Sequence, residues 1–129
     1  MDDFEGRINE LKQARDKMLG FHKLLIDLER SEIERASGSI TAGQFLNLLM
    51  NDDRFEWLRT ISKLVVRIDE AFELNDGFPP ELLDKLWYEF SGMFDDSEAN
   101  SEFKLLVRER MAVMPEADAI RREIRLMIK

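Results

Sequence analysis

Apolar residues recur every three or four positions along this chain, between short polar breaks. That is the spacing of amphipathic helices and not of strands. The first segment runs from about Asp3 to Ser37. Phe4, Ile8, Leu11, Ala14, Met18, Phe21, Leu25 and Leu28 form one stripe, and Leu19, Ile26 and Ile33 lie beside it. Gly6 and Gly20 each weaken such a helix by about 1 kcal/mol relative to alanine, and Gly20 is read as a place where a neighbouring helix could come close. Gly38 is positioned as a left-handed cap.

Thr41 with Gln44 reads as a capping box that opens the second segment. Asn51-Asp52-Asp53 interrupts that segment, with Asp52 or Asp53 recapping the stretch that resumes at Phe55. Asn75-Asp76-Gly77 is a turn signature. Pro80 and Pro115 stand where a first helical position is expected, and Asp95-Asp96-Ser97 ends the helix that Pro80 starts. At about 1.5 Å per residue the first two segments are each roughly 50 Å long. The pattern predicts one all-α domain over 1–129, an up-down bundle. A long antiparallel N-terminal hairpin is covered by two to three shorter C-terminal helices.

The composition narrows the chemistry. The chain has 129 residues, no cysteine and one histidine. Thiolate zinc sites, thiol nucleophiles and disulfides are excluded, and so are histidine-rich metal sites within one chain. No paired Glu-x-x-His motifs, Gly-rich phosphate loop or G-x-S-x-G elbow is present. No cofactor and no metal are therefore expected. Uninterrupted apolar runs reach about four residues at most, so no membrane span is expected. Met1-Asp2-Asp3-Phe4-Glu5 is acidic and lacks the apolar stretch of a secretory leader, which leaves a cytoplasmic location as the expectation.

The net charge of −8 is unevenly spread. From Phe103 to Lys129 seven basic residues face four acidic ones, a net +3 that leaves −11 on the rest. The acidic body makes nucleic acid an unfavoured main partner. The tail could act as a basic helix for RNA or anionic lipid, but cations also suit a helix C-terminus beside an acidic surface.

Three groups carry the candidate chemistry. His22 is the one side chain tuned to neutral pH. Its simpler reading is a core-edge histidine bonded to a carboxylate of the facing helix. Asp27, Glu29 and Arg30 on the first segment, with Asp69 and Glu70 on the second, could form an acid/base or hard-cation site. Their simpler reading is ion pairing between and within helices. Trp57, Arg59 and Ser62 follow the break at 51–53. That aromatic-arginine cluster could be an interface anchor, an anion site at a helix N-terminus, or a core plug whose arginine reaches a buried carboxylate.

Three blocks together resemble an uncharacterised family of small all-helical bacterial proteins. They are His22-Lys23-Leu24-Leu25-Ile26-Asp27-Leu28-Glu29-Arg30 with Glu34, then Phe45-Leu46-Asn47-Leu48-Leu49 and Asn51 to Arg59 with Ser62 and Ile68-Asp69-Glu70, then Met114-Pro115-Glu116. The family pattern reads roughly L-H-K-x-L-L-D-x-E-R, N-D-P-x-F-A-W-L-R-P-L-S, I-D-E and S-P-E. Here Asp53 and Thr60 replace prolines and Met114 replaces serine, which softens the kink near residue 53. The resemblance implies an all-helical fold and supplies no activity.

The favoured expectation is a non-catalytic helical interaction or regulatory module. Its partner would be a protein, a second copy in a homodimer included. The alternatives are a ligand-binding bundle or enzyme with a site around His22, Arg59 and Asp69, and a basic C-terminal helix that binds RNA or anionic lipid.

Overall fold

A computed structural model describes residues 3–128, so Met1, Asp2 and the basic Lys129 lie outside the described residues. Every regular element among them is helical. The order is α1 (Asp3–Ser37), α2 (Ala42–Asn51), a 3-10 turn (Asp53–Phe55), α3 (Glu56–Phe72), α4 (Pro80–Phe94), α5 (Ser101–Met111) and α6 (Pro115–Leu126).

The ends are set by local chemistry. Gly38 adopts φ +85° and closes α1, where a side chain would be strained. The Thr41 hydroxyl accepts from the Gln44 amide at 3.1 Å, and the Gln44 side chain accepts from the Thr41 amide at 2.9 Å. Both bonds of the capping box are thus made. Gly77 takes φ +90° in the turn before α4, and Pro80 and Pro115 open α4 and α6.

The break in the second segment is complete. α2 stops at Asn51, and the Asp52 carboxylate accepts from the Arg54 amide at 2.9 Å to cap the 3-10 turn. The second segment is therefore not a single rod matching α1. Its short first part packs on the 3-10 turn and α3, with Phe45 its one buried residue.

α1 packs chiefly against α3 and α6. Leu11, Ala14, Met18, Phe21 and Leu25 are fully buried along it. Leu28, expected next on this stripe, is only half-buried, and Glu29 takes the interior position four residues after Leu25. Gly20 is exposed and an added Cβ there would meet nothing within 4 Å, so it admits no neighbouring helix.

The rings of α1, α3, α4 and α5 meet at Phe94. Phe21 and Phe103 stand edge-on to it at 6.0 and 6.4 Å, Phe90 lies tilted to it at 5.6 Å, and Phe103 in turn meets Trp57 at 6.5 Å. Edge contacts of this kind add to the burial of large rings. This chain of rings fixes α5 beside the start of α3. Around it, Arg15 holds Asp69 with two bonds of 2.8 and 3.0 Å, Arg67 meets Glu89 at 2.6 Å, and Arg7 pairs with Asp84.

Candidate functional site

The residues singled out from the sequence do not share one place. His22 is half-buried at the α1–α3 contact, beside a shallow depression lined by Asp16, Leu19, Gly20, Lys23 and Ile26. Burial holds its imidazolium below the ordinary histidine value, and a hydrogen bond with the Leu58 backbone offsets part of that effect. Its partner is thus a backbone group, not the carboxylate expected from the facing helix.

Arg59 does not reach a buried carboxylate either. Its guanidinium donates to the carbonyls of Leu49 at 2.7 Å and Asp52 at 3.1 Å. It satisfies the C-terminal end of α2, where carbonyls lack intrahelical donors. The Ser62 hydroxyl turns back to the Arg59 carbonyl at 3.1 Å. Asp69 is committed to Arg15, while Asp27 and Glu70 are exposed. Arg30 donates to the Ile40 carbonyl at 3.1 Å and lies 3.7 Å from Glu34. It ties the loop after α1 to the helix.

Two of the singled-out residues do meet. Glu29 and Trp57 converge on Arg110 of α5. The Arg110 Nε donates to Glu29 Oε1 at 2.7 Å, and its guanidinium carbon lies 5.0 Å over the Trp57 ring. Glu29 is 8% exposed and Trp57 6%. The pairing gives the buried acid a charge-assisted bond and the cation an aromatic face.

This triad forms one side of the largest concavity described, a groove of about 1180 Å³. Its walls are the last turns of α1, Leu48 of α2, the 3-10 turn with the start of α3, and α5 from Ser101 to Arg110. Apolar lining comes from Ile33, Leu48, Phe55, Phe103 and Leu106. Acids dominate the charge: Glu29, Glu32, Asp53, Glu56 and Glu102 against Arg54 and Arg110. Arg54 is held by Asp52 at 2.9 Å, which raises its pKa and lowers that of Asp52, and it lies over Phe55.

Arg110, Phe103 and Glu102 carry this site, and sequence reasoning passed over all three as site residues. A signal for Arg110 exists. It stands three positions after Val107 and seven after Phe103, on the helix face that both bury. A charge on a buried face calls for a partner.

The basic tail is largely used internally. Lys104 pairs with Asp95, Arg121 and Arg122 with Asp118, Arg125 with Asp96 and Arg110 with Glu29. The Ser97 hydroxyl and Lys104 hold the Asp95 carboxyl down to about 2. Among the described residues no group of three or more potential ligands is placed to hold a metal ion, and no helix is long and apolar enough to cross a membrane.

No family model, no curated protein and no solved structure matches this chain.

Proposed function

We propose that this chain is a non-catalytic interaction module that presents the groove between α1, α3 and α5 to a protein partner. The groove is the observation that carries the reading. It combines half-buried Ile33, Leu48 and Leu106 with a charged border, the composition of an interface core and its rim. Trp57 under Arg110 has the character of an interface anchor, since tryptophan and arginine dominate binding hot spots. The scaffold belongs to the same proposal. α1 and α3 run antiparallel as a long hairpin, supported by the pairings of Arg15 with Asp69 and of His22 with Leu58, whose numbers run in opposite directions.

Site-specific photo-crosslinking tests the reading. A photoreactive residue at Ser101 sits in the groove, and one at exposed Lys12 lies about 30 Å away along α1. Irradiation in cells is expected to give discrete protein adducts from position 101 and not from position 12. No adduct at 101, or equal labelling at both positions, rejects it.

A further inference from the structure

We propose that the groove receives a basic amphipathic helix from another protein, with one cationic side chain of that helix seated on Glu29. The inference rests on the interaction-module reading and adds the chemistry of the partner.

Size is the first argument. At about 1180 Å³ the groove exceeds the roughly 300–1000 Å³ of small-molecule pockets. A helix about 10 Å across, rising 1.5 Å per residue, would fill that volume with roughly ten residues, nearly three turns. The walls supply the binding mode. They are helices and a 3-10 turn, with no strand edge among the described residues to which a β-strand could add. Of the recurring modes of peptide recognition, helix-in-groove fits such walls. The occupant's apolar face would lie on Ile33, Leu48 and Leu106.

Charge selects the partner's sign. The carboxylates of Asp53, Glu56 and Glu102 have no ion-pair partner among the described residues, although all three line the groove. Their positions in the first turns of helices suit the helix dipoles. That accounts for where they stand and still leaves three negative charges on one opening. Deeper in, Glu29 spends only Oε1 on Arg110. Its Oε2 accepts no hydrogen bond, on a residue that is 8% exposed and lines the groove. That oxygen is open to the groove, where a lysine or arginine of the occupant would pair with it. The opening therefore complements a helix with cations on both flanks of its apolar stripe and one among them long enough to reach Glu29.

The test is a display library of helical peptides of about twelve residues, selected on the full chain. Selected peptides are expected to carry Lys or Arg beside apolar residues spaced three and four apart. Their affinity is expected to fall about tenfold in Asp53→Asn/Glu56→Gln/Glu102→Gln, three rim charges that make no ion pair in the fold. It is also expected to fall as salt rises from about 50 to about 200 mM. Glu29→Gln is expected to weaken the parent peptide and to leave unchanged a peptide whose central cation is replaced by norleucine. Circular dichroism shows that each variant is folded. Neutral or acidic selected peptides, or unchanged affinity in the triple variant, overturn the basic-helix inference. If such peptides are still lost with Leu106→Asp, the module reading survives that failure. If no groove-dependent peptide of any charge is selected, the inference falls. Absence of adducts at Ser101 would then remove the module reading too.

Discussion

Removing the guanidinium of Arg110 should reveal how far the groove depends on its buried ion pair. In Arg110→Met the aliphatic stem over Trp57 is largely kept, while Glu29 loses its partner. The Glu29 side chain is 11% exposed and that of Arg110 25%, so water screens the pair only in part. Stranding one charge of a fully buried pair costs about 3–5 kcal/mol. Groove water at Glu29 reduces that figure, and loss of the cation over Trp57 adds about 0.5–1 kcal/mol. The expected destabilisation is roughly 2–3 kcal/mol. With about 2.1 cal/mol/K of unfolding entropy per residue, Tm should fall by roughly 7–11 °C. The assay is urea unfolding followed by circular dichroism and tryptophan emission, on Arg110→Met, Glu29→Met and the double variant. The double variant leaves no unpaired charge, so it should be more stable than Arg110→Met alone, with a coupling of about 1–2 kcal/mol. Arg110→Met within about 0.5 kcal/mol of the parent, or strictly additive single effects, would refute the argument.

Four further outcomes follow from the same structure. Phe21→Ala removes a fully buried ring from its edge contact with Phe94 and should cost about 3–5 kcal/mol by denaturant titration. Gly20→Ala places a methyl group in open space on an exposed helical face and should stabilise by about 0.5–1 kcal/mol, read as a higher Tm. Arg59→Met frees the carbonyls of Leu49 and Asp52. It should cost about 1–2 kcal/mol and speed amide exchange in α2 but not in α1. His22 binds its proton more weakly folded than unfolded, because burial disfavours the cation. Its contribution to stability is therefore complete above the unfolded value near 6.5 and is lost as pH falls toward the folded value. Tm should decline less between about pH 7.5 and pH 5 in His22→Gln than in the parent, and equal slopes would exclude this role.

Helix positions were legible because their causes are local. Gly38, the Thr41–Gln44 box, Asp52, Gly77, Pro80 and Pro115 each act through neighbours within about four residues, and their sequence spacing is their structural spacing. The stripe from Leu11 to Leu25 was equally legible, since the helical period alone puts those residues on one face. The same period should have passed the stripe to Glu29, four residues after Leu25. Hydrophobicity favoured Leu28 instead, because an acid is assigned to the interior only when its partner is known.

That partner is what tertiary structure decided. Arg110 stands 81 positions from Glu29, and nothing within either helix announces the match. Arg59 likewise had a choice of acceptors. The break at 52–55 brought two backbone carbonyls within its reach, and no carboxylate pattern could have foretold that. His22 met Leu58 through the packing of α1 on α3. Periodicity and capping chemistry thus determined which residues are helical and which face is buried. The angle and depth at which helices pack determined which charges meet. Those contacts depend on the summed shape of many side chains, the ring cluster at Phe94 foremost, and that sum exists only in the folded chain.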